Sequence, residues 1–143
     1  MTEISFYSNV ASRTGYACRL LRKAHRQGTA LAVTGPRAAL LEFDRELWTF
    51  AAAEFVPHAW TEDAGAVPAR LHASTVWLGP EPLAALVHDA LLNLGDEPPP
   101  GFETFTRVFE VVSADGSDRP AARERWKAYE RRGYAIKHHE VKG

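Results

Sequence analysis

Residues 29–34 read TALAVT, an unbroken run of small and apolar side chains without a charge. A strand that does not alternate is one buried on both faces, which is the condition of a strand inside a parallel sheet. Parallel neighbours cannot be joined by a tight hairpin and need a crossover, usually a helix. The flanking sequence supplies such crossovers. Residues 4–8 alternate, with Ile4, Phe6 and Ser8 against Ser5 and Tyr7, and predict a first strand. Residues 12–27 place Ala17, Leu20, Leu21 and Ala24 at i, i+3, i+4 and i+7, an amphipathic helix closed by Gly28. Gly35-Pro36 turns the chain into a second helix over 36–50, with Leu40, Phe43, Leu47 and Phe50 on its inner stripe. Strand, helix, strand, helix is the opening of a doubly wound sheet.

The middle of the chain is less regular. Residues 55–60 (FVPHAW) are apolar, but Pro57 cannot donate to a ladder, so an extended edge or a loop is expected. Phe55, Val56 and Trp60 then either pack locally or form an apolar patch for another protein. Residues 61–70 read as a loop and 71–78 (LHASTVWL) as a third strand; 82–94 fits a short helix throughout or a turn followed by a strand over 90–94, and the second is preferred because a parallel sheet still needs strands. Residues 95–101 (GDEPPPG) form a loop, 102–105 a single turn, and 107–113 (RVFEVVS) the last strong strand. A chain of 143 residues is one domain by length, spanning 1–143. At that size folding buries about 70% of the unfolded surface, enough for a core without staples.

Several chemistries are missing. The turns after the first two strands read NVASRTG and GPRAAL, and neither carries a glycine-rich phosphate loop. A phosphate needs clustered backbone N–H groups, and Pro36 removes one. The expected architecture is therefore α/β, a doubly wound and mostly parallel sheet flanked by helices, of Rossmann or P-loop-like topology without a phosphate loop. Cys18 is the single cysteine, which excludes an intrachain disulfide or a cysteine zinc cluster. It has no base beside it in sequence, and a small buried filler is the expected role. His25, His58, His72 and His88 lack metal-ligand spacing, and the adjacent His138 and His139 would face opposite ways on a strand. No catalytic constellation appears, and no cofactor or metal is expected. The N-terminus has neither the cationic start nor the apolar core of a signal peptide, and no run approaches the ~20 apolar residues of a membrane span. A cytoplasmic protein is expected.

Residues 121–134 (AARERWKAYERRGY) are the clearest helix, with Asp118, Arg119 and Pro120 at its start and Gly133 at its end. Ala122, Trp126 and Tyr129 fall on one stripe; Arg123, Trp126 and Lys127 fall on one face. The chain has a formal charge of −1, yet residues 119–137 hold seven Lys or Arg against two Glu. A basic patch on a mildly acidic body suits an anionic partner. A guanidinium, an ammonium and an aromatic ring together suit the acidic, apolar end of a peptide. The plainer alternative is a solvated helix whose Arg123 and Lys127 pair with Glu124 and Glu130 while Trp126 enters the core.

The assembled motifs resemble the chi subunit of the bacterial DNA polymerase III holoenzyme, an accessory member of the clamp-loader complex. The matching pieces are Ser5-Phe6-Tyr7, Leu47-Trp48, Phe55-Val56-Pro57-His58 and Leu92-Asn93-Leu94. They continue through Phe102, Phe105, Arg107, Glu110, the stretch ARERWKAY at 122–129, and Gly133-Tyr134. The resemblance implies a non-enzymatic protein with a nucleotide-binding-like fold that lacks the phosphate loop. It implies two partners: the acidic C-terminal tail of single-stranded DNA-binding protein, ending in a Pro-Phe carboxylate, and the psi subunit of the clamp loader. The family's tail-binding Arg, aromatic and Lys map onto Arg123, Trp126 and Lys127, with Trp126 where other members carry Tyr. The psi-contacting region maps onto Phe55, with Trp48 and Pro57 close by in sequence. On this expectation Arg123 accepts the terminal carboxylate as a fork, and Trp126 with the Lys127 stem walls a slot for the Phe ring. Arg125, Arg131 and Arg132 attract the acidic residues upstream, and the peptide binds at about micromolar strength, roughly −8 kcal/mol.

Two other readings compete. One is a nucleotide-using α/β enzyme with degenerate motifs. The other is direct nucleic-acid binding through the basic C-terminal helix. The near-neutral net charge and the single Trp on that helix count against the second, so no direct specific nucleic-acid binding is expected of this protein.

Overall fold

The computed structural model describes residues 2–27, 29, 31–50, 58–60, 76–79, 89–99 and 101–141. In chain order these form β1 (Glu3–Val10), α1 (Arg13–Arg26), β2 (Leu31–Thr34), α2 (Arg37–Phe50), β3 (His58–Trp60) and β4 (Val76–Gly79). Then come β5 (Ala90–Asn93), a 3-10 turn at Phe102–Thr104, β6 (Arg107–Ser113), α3 (Arg119–Arg131) and β7 (Ile136–Glu140). The strands make one sheet in the order β3-β4-β2-β5-β6-β1-β7, with every described pairing parallel. This is the doubly wound α/β architecture expected from the sequence.

The right-handed crossover rule sorts the helices. The connections β1-α1-β2 and β2-α2-β3 both run toward the β3 edge, so α1 and α2 share one face of the sheet. The connection β6-α3-β7 runs the other way, which places α3 on the opposite face. Two core clusters follow. Leu31, Val33, Ala90 and Leu92 pack with Ala17, Cys18 and Leu21 of α1 and with Leu40 and Phe43 of α2. Their neighbours Ala32 and Leu91 pack with Ile4, Phe6, Val108 and with Ala122 and Tyr129 of α3. The TALAVT run is apolar because its alternate side chains serve two cores.

One irregularity re-aims a side chain. Tyr7 pairs with Val111 and Val10 with Ser113, so β1 holds one extra residue at this point. Asn9 absorbs it at φ 63°, a conformation that Asn tolerates better than most residues. Val10 thereby joins the α1–α2 core and not the α3 side to which strict alternation from Ile4 and Phe6 would send it.

The structure corrects the end of the chain. The helix starts at Arg119 and stops at Arg131, and a seventh strand, β7, follows it. The sequence reading ends its strands at residue 113 because IKHHE is polar and lacks an apolar face. Among the described residues β7 is an edge strand paired only to β1, and it is mostly exposed, so packing leaves little mark on its composition. β3 is the opposite edge, as Pro57 just before it suggests. Among the described residues, no helix is long and apolar enough to cross a membrane.

Candidate functional site

The candidate side chains are positioned by α3, and α3 is held by a buried polar cluster. Glu110 on β6 is wholly buried; its Oε1 accepts from Arg125 Nε at 2.9 Å. Its Oε2 accepts from Tyr129 Oη at 2.6 Å and from Asn93 Nδ2 at 3.0 Å. Burial pushes the Glu110 carboxyl up, while the Arg125 charge and the Asn93 and Tyr129 hydrogen bonds pull it back. Burial, then the adjacent Glu110 carboxylate, raises the Tyr129 phenol, so it stays a donor. Arg125 is therefore not on the surface, and the expectation that it attracts acidic residues of a ligand is wrong. Its neighbours Ala122 and Tyr129 at i−3 and i+4 are both buried, and the ion pair with Glu110 carries the guanidinium inward with them.

Asp118 anchors the other end. Its side chain does not cap its own helix. It accepts from the Ser113 N–H at 3.0 Å and lies 3.2 Å from Arg13 Nε, tying the start of α3 to β6 and α1.

On the outer side of α3 a groove of about 420 Å³ opens between the helix and strands β1, β6 and β7. Phe6, Val112 and Ala122 form its apolar floor, all of them buried. Trp126 is half-buried, with its ring 4.9 Å from Phe6 and edge-on to His138 at 5.9 Å. His138 Nε2 sits 2.7 Å from Ser8 Oγ. Arg119, Arg123 and Lys127, at i, i+4 and i+8, form a cationic rim, and all three are exposed. Lys127 Nζ lies 3.6 Å from Glu124 Oε1, an exposed pair worth about 0–1 kcal/mol that leaves the ammonium available. Apolar floor, aromatic wall and cationic rim describe a receptor for an apolar side chain that carries a negative charge.

The structure thus brings Arg123, Trp126 and Lys127 to one groove. Trp126 does touch the core, but through one edge of a groove wall. The sequence reading missed Phe6, Ser8, Val112, Arg119 and His138 as lining. The alternation in β1 already put Phe6 and Ser8 on one face; His138 had no signal once β7 was overlooked. Of the second set, Trp48 lies in α2 with its side chain outside the described ones, and Phe55 and Pro57 lie outside the described residues altogether.

Doubly wound sheets bind ligands where neighbouring connections diverge, here between the carboxyl ends of β2 and β5. Gly35 approaches that junction so closely that an added Cβ would lie 3.0 Å from Leu94 Cβ and 3.2 Å from Gly95 N. The crevice outside it is lined by Pro36, Pro98 and Pro99 and by the acidic Asp96 and Glu97. The carboxylates repel a phosphate, and the prolines offer it no N–H. Among the described residues, no group of three or more His, Cys, Asp or Glu is placed to hold a metal.

A family model described as DNA polymerase III chi subunit, HolC, matches residues 1–137. The chain belongs to the DNA polymerase III chi subunit family. A chi subunit of Pseudomonas aeruginosa is 33% identical over 146 residues, covering 99% of this chain and 98% of that protein. A chi subunit of Haemophilus influenzae is 32% identical over 121 residues, covering 84% of this chain and 81% of that protein. The match to the chi family takes in β1, β6 and the whole of α3, and hence nearly all of the groove.

Proposed function

We propose that this chi-family chain is a non-catalytic replication adaptor of the cytoplasm. It captures the acidic C-terminal tail of single-stranded DNA-binding protein and links it, through a psi-like subunit, to the clamp loader of DNA polymerase III. The observation that supports this most is the groove in which Arg123, Trp126 and Lys127 surround an apolar floor. In this reading Arg123 forks the terminal carboxylate, and the terminal ring lies over Phe6 and Ala122 against Trp126. Arg119 and Lys127 attract the acidic residues that precede it, and Arg131 and Arg132 extend the field. The anchor carries most of the affinity, since exposed charge pairs add about 0–1 kcal/mol each. Several tails on one oligomeric partner raise the effective strength further. Phe55, with Trp48 and Pro57 close by in sequence, is the proposed contact to the psi-like subunit.

The test is fluorescence anisotropy with a labelled acidic peptide ending in Ile-Pro-Phe, as free acid and as C-terminal amide. The free acid is expected to bind at about micromolar strength. The amide and the Arg123→Ala variant are expected to lose at least tenfold, with the melting temperature unchanged. Equal binding of acid and amide would sink the carboxylate fork. Phe55→Ala is expected to lose co-purification with the psi-like subunit while keeping the peptide.

A further inference from the structure

The two sides of β1 and β7 are chemically different, and the side away from α3 is unassigned. Phe6 and His138 line the α3 groove, whereas their neighbours Tyr7 and His139 point to the opposite face. There Tyr7 stacks on His139 with ring centroids 4.8 Å apart and planes 16° from parallel. Tyr7 also touches Tyr16 of α1 at 5.5 Å and Phe109 of β6 at 6.1 Å. Tyr7, Tyr16 and Phe109 are half-buried and His139 is exposed; Tyr16 and Phe109 pack against the α1–α2 core with part of each ring left at the surface. Among the described residues, topology leaves this face open, because α1 leaves β1 toward β2 and so crosses over β6 and away from β7.

The same surface is cationic. α1 lines this face with Arg19 and Lys23 and carries no acidic residue. Tyr16, Arg19 and Lys23, at i, i+3 and i+7, share one stripe of it. Two shallow hollows of about 170 and 130 Å³ flank the Tyr7–Tyr16 contact, the first lined by Tyr16 and Arg19, the second by Tyr7, Lys23, Phe109 and Arg107. Arg19, Lys23 and Arg107 are exposed. Glu3, the acidic residue on this face of β1, lies 3.3 Å from Lys137 Nζ.

Ring faces set among cations suit a polyanion that carries flat, unpaired groups. We propose that this face is a second binding surface, for single-stranded nucleic acid, distinct from the α3 groove and independent of its assignment. Phosphates lie along Arg19, Lys23 and Arg107, and bases stack on Tyr16 and on the Tyr7–His139 pair. A duplex offers the cations the same charge but hides its base faces. An acidic peptide has the charge but not a planar group for every charge along its length.

The experiment titrates the full chain into a fluorescein-labelled oligothymidylate of about 15 nucleotides, a length within single-strand site sizes. A duplex of equal length runs beside it, and the salt is varied. Single-strand binding is expected at low salt, with a log–log salt slope of about −2 for three phosphate contacts. The double variant Arg19→Glu/Lys23→Glu is expected to weaken binding at least tenfold. Tyr16→Leu, which keeps an apolar group at the half-buried position, is expected to weaken it about fivefold or more. Both variants are first shown to melt like the parent, and Arg123→Ala is expected to bind the oligonucleotide normally. The proposal is overturned by no binding at low salt, by equal binding of the duplex, or by loss in Arg123→Ala with none in Arg19→Glu/Lys23→Glu. It is also overturned if sedimentation shows the parent to be a dimer that the charge reversal separates, since a second copy would then be the occupant.

Discussion

Arg123 and Arg125 stand two positions apart on α3, and their removal is expected to read out in different experiments. Arg125 is fully buried against Glu110, so Arg125→Ala strands a carboxylate in the core and is expected to cost about 3–5 kcal/mol in denaturant unfolding. Arg123 is exposed, and its loss is expected to change stability by less than about 0.5 kcal/mol. Equal stability of the two variants would contradict the buried network. Asp115 gives a pH dependence. Hydrogen bonds from the Ser113 hydroxyl, then from the Ser117 N–H and hydroxyl, hold its carboxyl down at about 2, below its ordinary 3.8. A depressed acid stabilises the fold above its unfolded value and loses that contribution as pH falls through the folded one. The β6–α3 turn is therefore expected to weaken between pH 3.8 and about 2, and Asp115→Asn is expected to flatten stability over that interval in acid titration followed by circular dichroism.

At the scale of elements, the end of α3 decides whether the groove is complete. Gly133 takes φ 83°, its N–H bonds the Glu130 carbonyl, and the Tyr134 N–H bonds the Tyr129 carbonyl. This paired arrangement closes a helix with a left-handed residue and turns the chain sharply. The turn returns the chain to pair β7 with β1, which brings His138 to the groove. A Cβ at Gly133 meets nothing within 4 Å, so Gly133→Ala pays only for backbone conformation, about 1 kcal/mol. Chemical denaturation checks this; a cost of several kcal/mol would mean that space, and not φ, requires glycine. The late helix was legible in its spacing and its Pro and Gly boundaries. β7 was not, because an edge strand is specified by its partner's backbone and not by its own apolar pattern.

For the molecule as a whole, one parallel sheet joins two cores, and the cysteine reports on their joint opening. Cys18 lies on α1 with no exposed surface, and burial pushes its thiol up to about 12. It is expected to resist a thiol reagent at neutral pH and to react at the rate of global unfolding, slowed by whatever stabilises the fold. Fast labelling of the native protein would show that α1 opens locally. The sheet also separates the two proposed surfaces. Neighbouring residues of β1, Phe6 and Tyr7, serve opposite faces, so each face can be altered without touching the other.

The sequence alone determined the alternation of strands and helices, the continuous burial of β2, and the sharing of one face by Arg123, Trp126 and Lys127. Each of these depends on residues close in sequence, where a period of 2 or 3.6 links spacing to side-chain direction. The motifs pointed to the family that the comparison then established. Tertiary structure alone decided that Arg125 turns inward, since its carboxylate partner lies 15 residues away on another element. It alone added Phe6, Val112 and His138 to the groove, and it alone gathered Tyr7, Tyr16, Phe109 and His139 from four elements. A local pattern states which way a side chain points along its own helix or strand. What that side chain meets depends on strand order and crossover hand, and these are properties of the assembled sheet.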